Sequence, residues 1–210
     1  ERRQFFLENG DLFANFGYAD LRPFFSRRIG LGVPIDVGAR LSGKLDKNWR
    51  IGVMDMKTAR VSETALPAQN CAVLSLQRKV FKRSNVGIIY IDKTSLGYHP
   101  TTADSAKGVY SQYNRNLGIE YNLASSSNLW TGKAMLLKSF QPTAGKKDWS
   151  YAGHLQYSSR KWLIYGQAQY VGENFPPEVG YVPRGDYIKP TPRVSYYFFP
   201  GGGNILSHGP

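Results

Sequence analysis

The sequence predicts an all-β chain: an antiparallel up-and-down meander forming most or part of an outer-membrane-type β-barrel. Three observations predict it. Apolar residues recur at every second position through about nine segments, which is the period of a strand with unlike environments on its two faces. Short and long connections alternate between these segments, as in barrels with tight turns at one rim and long loops at the other. Trp and Tyr gather at segment ends (Trp49, Trp130, Trp149, Tyr151, Trp162, Tyr170), where an interfacial girdle needs them.

Residues 1–33 form an irregular lead-in. Phe5, Phe6, Phe13, Phe16, Tyr18, Phe24 and Phe25 are interleaved there with Arg2, Arg3, Glu8, Asp11, Arg22, Arg27 and Arg28, without a period. Aromatics mixed with arginines can stack on single-stranded nucleic acid. No RNA-binding signature accompanies them, so a packed segment whose arginines pair with its own acids is expected, and no nucleic-acid partner.

From residue 34 to 210 the strands follow. The opening hairpin sets Ile35, Val37, Ala39 and Leu41 against Asp36, Gly38, Arg40 and Ser42. After a polar break at 45–48 it returns with Trp49, Ile51 and Val53 opposite Arg50, Gly52 and Met54. Two alternating runs joined by a few turn formers make a β-hairpin. Further strands are expected over Asn70–Phe81, Val86–Lys93, Asn116–Ala124, Leu129–Phe140, Ser150–Ser158, Lys161–Val171 and Arg193–Phe199. Breaks at 45–48, 82–85, 125–128 and 158–161 are short; those at 59–69, 95–114, 141–149 and 172–190 are long and rich in Gly, Pro, Thr and Lys.

Periodicity alone does not say which face is inside. A soluble sandwich or lipocalin-like barrel would turn the apolar rows inward, whereas a membrane barrel turns them to lipid and lines its lumen with the polar rows. The terminal aromatics, and bulky groups such as Glu120, His154 and Tyr165 on the polar face, favour the membrane orientation. No apolar run approaches the ~20 residues of a spanning helix, but barrel strands cross with ~9–11.

Lys and Arg number 27 against 15 Asp and Glu, a net charge of +12. In a barrel this balance falls in lumen and loops, where it favours anionic solutes or lipopolysaccharide. The aromatics (11 Phe, 14 Tyr, 4 Trp) suit a surface that is apolar at one height and wet at another. One cysteine, Cys71, excludes an intramolecular disulfide and a thiolate metal cage and reads as a small buried hydrophobe.

The segments ERRQFFLENGDLF, FFSRRIGL, GARLSGKLDKNWRIGVMD and FPPEVGYVPRGDY, in this order and spacing, resemble a family of Bacteroidota surface proteins of unknown function. Its members pair an N-terminal carbohydrate-binding-module-like domain with a C-terminal outer-membrane barrel. The resemblance spans nearly the whole chain and departs from the family pattern at 20–23, where the link before FFSRRIG is short. It implies that the chain is a piece of a longer protein, and a C-terminal end at Pro210 instead of an aromatic residue agrees. It supplies no catalytic residues.

The chemistry-bearing residues do not assemble into an enzyme pattern. His99, His154 and His208 lack metal-ligand spacing, so neither a metal nor a cofactor is expected. His99, Asp104 and Ser105 share one loop, but Ser and Asp are ordinary turn formers. Glu1/Glu8 and Glu173/Glu178 fall in irregular segments with no glycosidase-dyad spacing, and Gly30-Leu31-Gly32 is too short for a phosphate loop. The candidate ligand-binding residues are Arg27, Arg28, Glu178, Arg184 and Asp186. They are expected either to pin loop or plug segments as a charge network or to bind an anionic or sugar ligand. The function expected is non-enzymatic: an anchor, pore or assembly component of the bacterial outer membrane, linked to glycan binding or uptake. Its expected partners are the bilayer, lipopolysaccharide, glycans and other outer-membrane proteins. The competing class is a soluble β-domain that binds carbohydrate or a protein.

Overall fold

Strict alternation builds one antiparallel sheet. A computed structural model describes residues 9–62, 66–98, 111–142, 145–175, 177–199, 207 and 209. Its strands are β1 (Ile35–Lys44), β2 (Trp49–Thr58), β3 (Gln69–Val80), β4 (Ser84–Ser95), β5 (Tyr113–Ala124), β6 (Trp130–Phe140), β7 (Trp149–Ser158), β8 (Trp162–Val171) and β9 (Tyr187–Tyr196). Each pairs with the next in sequence and the sheet is open, with β1 and β9 as its edges. The expected alternation of connections holds: 45–48, 81–83, 125–129 and 159–161 are tight, while 59–68, 96–112, 141–148 and 172–186 are long. In the first turn the Asp46 carboxylate accepts from the N–H groups of Asn48 and Trp49 at 2.6 and 2.7 Å, an Asx-type closure.

The last strand differs from expectation. It begins at Tyr187 instead of Arg193 and ends at Tyr196 instead of Phe199. Pro190 and Pro192 argue against a strand in the sheet interior because they lack a ladder donor. They sit opposite Ala168 and Gly166 on an edge strand. Two residues apart, both turn their missing N–H to the same, unpaired side.

The apolar rows face outward. Leu117, Ile119 and Leu155 are 45, 47 and 47% exposed, and Leu74, Ile88, Leu136, Ile164 and Val194 are exposed on the same face. The other face is covered by the lead-in. There the lead-in, which contains α1 (Asp11–Ala14) and a 3₁₀ turn at Ser26–Arg28, presents Leu12, Phe13, Phe16, Leu21, Phe24 and Ile29, all buried. They meet Met54, Val73, Ile89, Ile91, Met135 and Leu137 of the sheet in one cluster, which also takes in Cys71. The inner face is therefore apolar in its middle as well as polar, and the lead-in fills what the sequence predicted as a wet lumen.

Glycines make room for the lead-in. A Cβ on Gly118 would lie 2.5 Å from Leu137 Cδ2 and 2.9 Å from the Phe16 ring; one on Gly52 would lie 2.6 Å from Phe13. Because Leu137 and Ile89 are fully buried, nothing around Gly118 can give. Gly118→Ala is expected to cost about 1–3 kcal/mol by overpacking, read as a lower denaturant midpoint at unchanged slope.

Candidate functional site

Two surfaces carry chemistry: the outer face and a polar lane on the inner one. On the outer face the aromatics form belts at two heights. Trp49, Trp130 and Trp162 start strands at the short-turn rim. Trp130 lies 5.0 Å from Tyr157, and Trp162 lies 4.6 Å from Tyr196. Trp149, Tyr151 and Tyr170 lie at the long-loop rim, with Tyr151 stacked on Tyr170 at 4.8 Å. Between the belts β8 turns Ile164, Gly166 and Ala168 outward, opposite Val194, Pro192 and Pro190 of β9. Outward charges sit at the rims: Arg78 lies over the Trp49 ring at 5.1 Å at the short-turn rim, and at the long-loop rim Arg115 pairs with Asp92 at 2.6 Å and Lys138 with Asp148 at 2.9 Å. Lys138 Nζ also lies 4.4 Å from the Trp149 ring. An ammonium led toward the rim along an aromatic face is how a long cation leaves an apolar band.

The polar lane runs across the inner face from β2 to β7. Arg50 donates to both carboxylate oxygens of Asp11 at 2.7 and 2.8 Å and to Gln77 Oε1 at 3.0 Å. Gln77 Nε2 donates to Asn85 Oδ1 at 3.1 Å. Asn122 Nδ2 lies 2.9 Å from both Asn85 Oδ1 and Glu120 Oε1. Glu120, 5% exposed, sits 3.1 Å from Lys133 Nζ. The strand register makes this possible by setting Arg50 opposite Gln77, Asn85 opposite Asn122, and Asn122 opposite Lys133.

This lane holds the lead-in. The Gly17 N–H donates to Glu120 Oε2 at 3.1 Å, and Lys133 Nζ donates to the carbonyls of Asn15 and Gly17 at 2.9 and 3.0 Å. Tyr18 Oη donates to the Lys133 carbonyl at 3.1 Å and lies 3.0 Å from His154 Nδ1. Gly17 has φ +89°, a conformation that favours glycine, and it lets the chain turn both its N–H and its C=O to this ion pair. Burial pushes the Tyr18 phenol well above its ordinary value, with Tyr165 and Glu120 adding to it, so the phenol stays protonated as a donor.

The described acids of the lead-in pair with the sheet instead of with its described arginines: Asp11 with Arg50 at 2.7 Å and Asp20 with Lys189 at 2.9 Å. Hydrogen bonds from Arg50 hold the Asp11 carboxyl below its ordinary value. A lowered folded value means the clamp is at full strength above the free carboxyl value of about 3.9 and fades as pH falls through the folded value. The pair is partly exposed, so its loss is worth only a fraction of a kcal/mol, at most about 1. Protection of the amides at residues 10–15, relative to their intrinsic exchange, is expected to fall below about pH 4, and Asp11→Asn is expected to remove that dependence.

Of the predicted site residues, Arg27 and Arg28 lie in the 3₁₀ turn, exposed. Arg27 lines a hollow of about 430 Å³ with Phe24, Phe25, Arg40 and Met54. Glu178 pairs with Lys93 and accepts from Ser111 Oγ. Arg184 lies over the Tyr187 ring at 4.9 Å. Asp186 pairs with Lys147 at 3.4 Å. Among the described residues no ion pair joins these five to one another. Their segments meet through the backbone: the Phe25 N–H donates to the Val179 carbonyl at 2.7 Å, and Arg22 and Tyr181 exchange two bonds at 3.0 and 2.8 Å. His99, Asp104, Ser105, His208, Glu1 and Glu8 lie outside the described residues. Among the described residues no three His, Cys, Asp or Glu come together as a metal site, and no helix is long and apolar enough to cross a membrane.

The fold and these two surfaces define an open all-β meander with an apolar outer face and an inner face filled by its own N-terminal segment. No family model, curated protein or solved structure matches the chain.

Proposed function

We propose that this chain is the membrane-embedded part of a bacterial outer-membrane protein, of the Bacteroidota surface family its motifs resemble. It acts without catalysis as a surface anchor or assembly component linked to glycan handling. The observation that carries the proposal is the outward apolar row bounded by aromatic belts at both rims, with Leu117, Ile119, Leu136, Leu155 and Ile164 exposed between them. Soluble monomers rarely expose so continuous an apolar face, whereas strands of 10–12 residues meet the length a bilayer asks of a barrel. The lead-in on the inner face favours an anchor or a plugged barrel over an open pore. At the long-loop rim Arg115 and Lys138 stand where lipopolysaccharide phosphates would meet them.

Fractionation tests this. The protein produced in a Gram-negative host is expected in the outer-membrane fraction, to enter the detergent-rich phase, and to migrate differently on gels with and without heating. A folded, monodisperse protein in detergent-free buffer would overturn the proposal in favour of a soluble β-domain.

A further inference from the structure

Between the lead-in and the polar lane lies a cavity of about 580 Å³, in the range of small-molecule sites. Gln77, Asn85, Glu120 and Asn122 line it from the sheet, and Phe16 and Tyr18 line it from the lead-in. Its charges are compensated within the wall, the partly exposed Asp11 by Arg50 and the buried Glu120 by Lys133, so the surface it offers is made largely of amides and ring edges. The amides are not all used. Asn85 Oδ1 accepts from Gln77 and Asn122, and Asn122 spends its Nδ2 on Asn85 and Glu120. Asn85 Nδ2 and Asn122 Oδ1, a donor and an acceptor on directly opposed residues, make no hydrogen bond among the described residues.

A free donor and a free acceptor on paired residues of neighbouring strands match hydroxyl groups, which both give and take hydrogen bonds. Neighbouring hydroxyls on one small ring satisfy several such groups at once, and the part-exposed Tyr18 ring supplies the apolar contact that the C–H face of that ring needs. Arg22 also lines the cavity and makes no ion pair among the described residues, so an acidic substituent on the ring has a place to go. We propose that this cavity binds a monosaccharide-sized polyhydroxylated solute through Asn85 and Asn122. This deepens the glycan part of the function proposed above by giving it a site, but it depends on the inner face alone and not on what medium meets the outer one.

The test is calorimetric titration of the folded protein with galactose, xylose, N-acetylglucosamine and glucuronate, with inorganic phosphate as a separate probe. At least one sugar is expected to bind saturably. Asn85→Ala and Asn122→Ala are each expected to weaken it about tenfold, as losing one buried hydrogen bond does, whereas Lys161→Ala in the exposed β7–β8 turn leaves it unchanged. Should an asparagine variant fail to fold, the wild-type protein still decides: bound sugar is expected to slow amide exchange at residues 14–19, which cover the cavity. Absence of binding by every sugar, binding of phosphate alone, or sugar binding that leaves exchange at 14–19 and both variants unaffected would overturn the proposal. The two readings fail separately. A protein that needs detergent and binds no sugar loses only the site, and one that binds sugar in plain buffer loses only the membrane.

Discussion

Ile119→Arg is expected to destabilise the protein folded in lipid vesicles by about 2–4 kcal/mol, the cost of a cation near the bilayer midplane on a barrel's lipid face. Ile119 lies in the middle of β5, opposite Ile88 of β4 and Leu136 of β6, and all three are exposed. An arginine there has no rim within easy reach and no acid at its level. Tyr113→Arg, two positions before Arg115 at the long-loop end of the same strand, is expected to cost about 0–1 kcal/mol, because the penalty falls toward the interface. Denaturant titration followed by Trp fluorescence reads both. In water a substitution at a half-exposed site like Ile119 would fall within about 0.5 kcal/mol. Equal, small effects at positions 113 and 119 would therefore place the outer face in water.

The two rows of each strand were legible in the sequence, though not which of them looks outward, because period-two patterning survives any inversion of the sheet. Leu117, Ile119, Tyr121 and Leu123 share a face whether that face looks in or out, and the strand positions follow from the same rows. The error in β9 has a local cause: Pro190 and Pro192 break the strand signal, and only knowledge that β9 is an edge rescues it. The filled inner face was harder to read. Val73, Ile89, Ile91, Met135 and Leu137 lie on the row opposite the outward one, so these strands are apolar on both faces. That double signal could have announced a covering segment, but the lead-in has no period to match it.

The candidate site was read least well, for a physical reason. Glu178, Arg184 and Asp186 group with Arg27 and Arg28 in the sequence because both clusters fall in irregular segments beside strands and in the motifs that carry the resemblance, yet ion pairs form where chain geometry allows. Glu178 met Lys93, and Asp186 met Lys147, across loops whose paths no periodicity encodes. The polar lane left a fainter trace in Asn114, Asn116, Glu120 and Asn122. These share a row of β5 where an apolar filling would be cheaper, and buried polar groups persist only when bonded to something. The strand reading gave their parity; their partners on β2, β4 and β6 required the register.

Lys133→Met is expected to release the lead-in, at a cost of about 3–5 kcal/mol, because it leaves the buried Glu120 carboxylate without its counter-charge. The same ammonium holds the Asn15 and Gly17 carbonyls, so both halves of the clamp go together. The loss should fall on one part of the molecule. Hydrogen exchange is expected to quicken across residues 12–24, while β3, β4 and β5, held by their own ladders, stay protected. Glu120→Gln added to Lys133→Met removes the stranded charge but keeps an amide oxygen to accept from the Gly17 N–H, and it is expected to recover more than half of the loss. That recovery is the coupling a double-mutant cycle measures. It separates the two roles an inner-face ion pair could have. If Glu120 and Lys133 served only the sheet, the single variant would lower protection of β5 and β6 together and leave the lead-in to melt with them. A lead-in that comes away first, from a sheet that persists, identifies the pair as the latch of a plug. The cavity beneath would then open by breaking the five hydrogen bonds that hold Asn15, Gly17 and Tyr18 to the sheet and the one from Ser75 Oγ to the Leu12 carbonyl, without disturbing the outer face.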